Sequence, residues 1–138
     1  MRYLRPIGLF AVISSGILMI LGSATAPTQQ PRADEFKRTI PKCFDDRECE
    51  RKWAAAQAWI VKNAAYKVQV ATSSLIETYN PPSGSTGIAA RVVKEPIGDK
   101  GYQFIVSVWC ANVFGCQPDS WAAAIDFNRT INAVATVQ

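Results

Sequence analysis

The sequence predicts an α+β fold: a helix, a three-stranded antiparallel meander and a second helix, with both helices on one face of the sheet and disulfides as staples. Three observations carry this expectation. Apolar residues recur at helical spacing up to residue 63 and again after Pro118, the period between them is two, and the four cysteines form two Cys-x5-Cys pairs. A chain of 138 residues accommodates one domain, and 49% hydrophobic with 19% charged residues is the composition of a folding chain, not a disordered one.

The N-terminus reads as an export leader. MRYLRP places Arg2 and Arg5 ahead of the apolar run IGLFAVISSGILMIL (residues 7–21), and the small residues GSATA follow. As a helix the run would reach about 22 Å at about 1.5 Å per residue, short of a bilayer core of about 30 Å. Residues 1–26 are therefore expected to be a signal peptide cut after Ala24 or Ala26. Extended from 7 to 26, the same segment would serve as an uncleaved membrane anchor. No cysteine follows the run to take a lipid. Setting aside the two leader arginines lowers the formal charge from +4 to +2, too small a surplus to argue for a polyanion-binding surface. Residues 27–42, PTQQPRADEFKRTIPK, mix proline, glutamine and charge without a period and read as a polar tether. The single α+β domain is then expected over residues 43–138.

Within that domain, Asp45-Asp46-Arg47-Glu48 has an acidic cap and a glutamate three positions on, the signature of a helix start. Cys49, Trp53, Ala56 and Ile60 share one face of a helix expected over about 47–63. Tyr66, Val68, Val70 and Thr72 alternate with polar or small neighbours. They read as a first strand continuing to Tyr79 with a bulge near Ser73-Ser74. NPPSGSTG (80–87) and PIGDKG (96–101) are turns, separating the strand IAARVVKE from the strand YQFIVSVWC. On the last strand Tyr102, Phe104, Val106, Val108 and Cys110 face the core. The second helix begins near Pro118 and carries Trp121, Ala124, Ile125 and Asn128 at helical spacing. Helix, three strands, helix is also the order of double-stranded RNA-binding domains, which grip phosphates with lysines at the start of the second helix. Here that helix opens with Pro118-Asp119-Ser120, whose carboxylate repels phosphate, so no nucleic-acid partner is expected.

The four cysteines, Cys43, Cys49, Cys110 and Cys116, are expected to be disulfide-bonded. Zinc hairpins use shorter spacings and often histidine, which this chain lacks, and thiol-exchange sites favour Cys-x-x-Cys. Export to an oxidising compartment favours bridges. Local pairing, Cys43 with Cys49 and Cys110 with Cys116, needs no assumption about the fold; a cross-pairing between the first helix and the exit of the last strand is the alternative.

Little else resembles chemistry. Without histidine the commonest general base and metal ligand are missing. Ser73 and Ser74 near Lys67 read as the wet face of a sheet. Asp45, Asp46, Glu48 and Glu50 are interleaved with Arg47, Arg51 and Lys52, a self-neutralising helix end rather than a calcium site. Asn128-Arg129-Thr130 is a glycosylation-like triplet, but it falls in the second helix near the packed stripe. No cofactor, metal or catalytic residue is expected. The expected function is that of a non-enzymatic cell-envelope protein, periplasmic or secreted, or anchored in the inner membrane through residues 7–21. It would act through contacts with an envelope protein partner, as an accessory subunit of a larger complex. The alternative is a secreted inhibitor or immunity-type binder, and less favoured is a small ligand-binding domain or hydrolase. Candidate contact residues are Ile105 and Trp109, out of phase with the core on the last strand, Trp59 off the first helix's stripe, and Tyr79 with Asn80 beside the proline-rich loop.

Overall fold

The computed structural model describes residues 29–134; the expected leader, 1–26, lies outside them. The described chain runs α1 (Gln30–Arg38), β1 (Lys42–Cys43), α2 (Asp46–Asn63), β2 (Val68–Ala71), β3 (Leu75–Thr78), β4 (Ala89–Ile97), β5 (Gly101–Trp109) and α3 (Ser120–Asn132). The strands form one antiparallel sheet in the order β1-β5-β4-β3-β2. The α+β class holds, but the sheet has five strands where three were expected.

The additional strands have local causes. What was expected as one bulged strand from Tyr66 to Tyr79 is the hairpin β2–β3. The Thr72 hydroxyl accepts from Ser74 and Leu75 N–H, and Thr72 N–H donates to Leu75 O at 2.8 Å, closing a tight turn without glycine or proline. β1 arises because the chain after Pro41 lies against β5, pairing Lys42 with Gln103 and Cys43 with Tyr102. β4 and β5 form the long central hairpin, in register from Ala89↔Trp109 to Ile97↔Gly101.

The polar tether expected over 27–42 is also corrected, since most of it is α1 and the start of β1. α1 has no buried residue, so its own sequence carries almost no apolar pattern. It is held by α3. Phe36 meets Trp121 edge-on at 5.9 Å, Arg32 pairs with Asp119 at 3.1 Å, and Arg129 pairs with Glu35. Asn128 is fully buried and donates from Nδ2 to Phe36 O (3.0 Å) and Thr39 Oγ1 (3.2 Å), while Asn132 donates to Thr39 O (2.8 Å). Two asparagines one turn apart on α3 thus satisfy the carbonyls left over at the end of α1. A side chain committed in this way has no room for a glycan.

The α2 stripe Cys49, Trp53, Ala56 and Ile60 is buried. Trp53 stacks on Phe104 at 6.2 Å, and α3 packs along β5, where Trp121 and Ala124 line a cleft together with Val106 and Val108. Phe104, Phe127, Ile60, Ile88, Ile131 and Val92 are the largest fully buried apolar side chains. The start of α2 is doubly tied. Asp45 accepts Glu48 N–H, and Glu48 accepts Phe44 N–H, a reciprocal cap. Lys52, buried on α2, donates to Glu48 Oε1 (2.7 Å) and Lys42 O (2.6 Å), bracing the helix against β1.

The hydrogen bond from Lys52 holds the Glu48 carboxyl below the ordinary carboxylate range, helped by Phe44 N–H and opposed by partial burial. A carboxylate with a depressed pKa contributes stability that is full above its unfolded pKa and is lost as pH falls through the folded one. Thermal melts across the acid range should therefore show wild type more stable than Glu48→Gln at neutral pH, with the gap closing on acidification. A gap that stays constant with pH would show that the ion pair adds nothing.

Candidate partner-binding surface

Both disulfides pair locally. Cys43 joins Cys49 with Cα atoms 5.2 Å apart, and Cys110 joins Cys116 at 5.5 Å. No cysteine is left free. The first bridge is buried in the core, where it ties β1 to the first turn of α2. The second closes the loop by which the chain leaves β5, and that loop is presented to solvent.

The Cys110–Cys116 loop is fixed from within and from the side. Asn112 Oδ1 accepts Phe114 N–H at 2.8 Å and Gly115 N–H donates to Asn112 O at 3.3 Å. Gly115 has φ +112°, a conformation reached cheaply without a Cβ. Beside it runs the loop 80–87. Gly84 N–H donates to Ala111 O, Ala111 N–H to Ser85 O, Gln117 N–H to Thr86 O and Asn112 Nδ2 to Gly84 O, all between 2.7 and 3.1 Å. The Tyr66 and Ser85 hydroxyls hydrogen-bond beneath this seam. At Gly87 a Cβ would fall 2.9 Å from the Ala65 Cβ, so glycine is required for the two segments to approach.

On this support stand Val113, 93% exposed, and Phe114, 97% exposed. Neither loop, 80–87 or 110–118, contains a charged residue. An exposed phenylalanine normally shields itself by folding back on the surface. Here Phe114 N–H is bound to Asn112 at its base, and the bridge limits how far the loop can collapse. Large apolar side chains exposed on an uncharged, disulfide-closed loop make this a candidate contact surface. Sequence reasoning treated this cysteine pair as a staple and did not single out Val113 and Phe114. The available signal was two large apolar residues inside a short disulfide loop, where no core can take them.

The structure separates the residues singled out from the sequence. Tyr79 is 57% exposed and Asn80 is exposed, at the start of the loop that braces 110–116. Ile105 and Trp109 are half-buried on β5. Ile105 lies opposite Val93, and Val93 lies opposite Leu75, so the three form one apolar row across three strands. Polar rows flank it: Arg91 pairs with Glu77 (3.2 Å), and Gln103 donates to Glu95 (3.1 Å). Trp59 is a correction. It is 4% exposed, packs edge-on against Phe127 at 5.3 Å, and donates from Nε1 to Asp126 Oδ2 at 2.8 Å. α2 buries two faces, one towards the sheet and one towards α3, and Trp59 belongs to the second.

Among the described residues, no group of three or more potential ligand side chains lies close enough to hold a metal, and no helix is long and apolar enough to cross a membrane. Compared with family models, curated proteins and solved structures, the chain matches none.

Replacing both Cys110 and Cys116 by serine should cost about 2 kcal/mol of stability, the loop-closure value for so short a ring, measured by urea denaturation. The amides of 111–115 should also lose protection against hydrogen exchange while those of β5 keep theirs. Unchanged exchange in the loop would mean that the bridge does not hold its shape.

Proposed function

We propose that this is an exported cell-envelope protein that works by protein contact rather than catalysis, as an accessory subunit of a larger envelope assembly. The observation that carries the reading is the clamped loop presenting Val113 and Phe114, braced by the loop that begins at Asn80. Its supports are several. The charged-apolar-small leader argues for export, placing the domain in the periplasm or outside an inner-membrane anchor. Two disulfides suit an oxidising compartment. Several charged side chains serve the fold: Glu48 caps α2 and pairs with Lys52, Asp119 caps α3, and Arg91 pairs with Glu77.

The partner chemistry follows from the tip: an apolar pocket with an uncharged rim, since neither loop brings a charge to complement. Ile105 and Trp109 form a second, flatter contact area on the open sheet. The same rigid loop favours one other reading, a secreted inhibitor that inserts Phe114 into a partner's cleft and occludes it. Fractionation separates the two: recovery with a membrane complex supports the subunit, and a free soluble protein supports the inhibitor.

The test is crosslinking in intact cells with the protein and its Val113→Ser, Phe114→Ser double variant. Because both side chains are solvent-exposed, the variant should melt at the wild-type temperature while losing its crosslinked species. A crosslinked species of undiminished yield in the double variant would refute the loop as the docking element.

A further inference from the structure

β5 is only partly covered on its outer side. β1 pairs with Tyr102 and Gln103, and Phe104 N–H donates to Pro41 O at 3.0 Å, after which the chain departs into α1. In an antiparallel strand alternate residues turn N–H and C=O to the same edge. The Phe104 bond therefore fixes the direction for Val106 and Val108, whose backbone groups face outward, away from β4. The neighbouring strand agrees: Ala90, opposite Val108, sends its own N–H to Thr78 Oγ1 on the β3 side. Among the described residues no hydrogen-bond partner reaches Val106 or Val108 on that outer edge.

Alongside this edge lies a cleft of about 310 Å³, walled by Phe36 of α1 and by Ser120, Trp121 and Ala124 of α3, with Val106 and Val108 on the strand side. No charged side chain lines it. Phe36, Trp121 and Val108 are each half-buried there, and Val106 is 3% exposed. The cleft is a direct continuation of the track that β1 occupies further along β5.

We propose that this slot binds an extended peptide segment of a partner protein, which adds as a strand beside Val106–Trp109 in continuation of β1. Two features select that occupant. The outward backbone groups of Val106 and Val108, unpartnered among the described residues, offer donor and acceptor at the repeat of a strand, which an extended polypeptide matches along its length. The lining is uncharged and partly aromatic, so the inward-facing side chain is apolar and the outward-facing ones are unrestricted. This deepens the protein-contact reading by naming an extended peptide as partner, but it rests on a surface separate from the Phe114 loop, so each can fail alone.

The test uses the full, oxidised chain and a blocked hexapeptide of alternating threonine and valine, followed by amide NMR. In the free protein the amides of Val106 and Val108 exchange at least about tenfold faster than that of Phe104, and saturating peptide slows them by a similar factor. N-methylation of the peptide amides that face β5 abolishes binding; methylation of the alternate amides leaves it intact. Val108→Pro removes a donor that faces the edge and breaks no β4 bond, so the variant stays folded and binds about three- to tenfold more weakly. Phe114→Ser binds the peptide as wild type does. Val106 and Val108 amides already as protected as Phe104 without peptide, equal binding by both methylated peptides, or shifts confined to the 110–116 loop would each overturn the proposal.

Discussion

Two covalent rings, each joining cysteines six positions apart, set the geometry on which the rest of this molecule depends. The buried Cys43–Cys49 bridge fixes where the chain stops being edge strand and becomes α2, and Lys52 reinforces that corner by bridging Lys42 O and Glu48. The Cys110–Cys116 bridge fixes the exit from β5 and therefore the position of α3, which in turn holds α1. Rings this small constrain the unfolded chain by only about 2 kcal/mol each. Their larger effect is local: they hold backbone at corners where hydrogen bonding alone would leave it free to move.

Several polar groups of the helices find partners on a neighbouring helix. The carbonyls at the end of α1 are taken by Asn128 and Asn132, the Trp59 indole by Asp126, and the start of α3 by the Asp119 carboxylate, which accepts Ala122 N–H. These bonds tie α1 and α2 to α3, although α1 contributes no buried side chain. Two exposed features stand apart from this bonding: the apolar loop tip of Val113 and Phe114, and a strand edge whose backbone stands beside a cleft.

Much of the architecture was legible in the sequence. The 4-3-4 spacing of Cys49, Trp53, Ala56 and Ile60 identified α2, and alternation across 102–108 identified β5 and its core face. Three elements escaped for physical reasons. α1 owes its place to residues of α3 rather than to an apolar stripe of its own; its only local signals are a proline near its start and Lys37-Arg38 in its last turn. The β2–β3 turn lacks glycine and proline, and is made by the Thr72 hydroxyl, a weaker signal visible only as a Thr-Ser-Ser run. Trp59 was misplaced because a single stripe was sought on a helix that packs on two neighbours. The candidate site was legible in part: Tyr79 and Asn80 lie where the bracing loop begins, whereas Val113 and Phe114 were passed over once their flanking cysteines had been read as structural.

A protein that works as proposed must carry its cysteines as two local bridges where it acts. Protein recovered from its native compartment with thiols trapped by an alkylating reagent, then cleaved by trypsin without reduction, tests this directly. Cleavage after Arg47 should leave the Cys43 and Cys49 peptides joined to each other, Cys110 and Cys116 should remain within one unlabelled peptide, and all four cysteines should take up reagent only after reduction. Labelling of the four before reduction, or a peptide joining either of the first two cysteines to either of the last two, would contradict it.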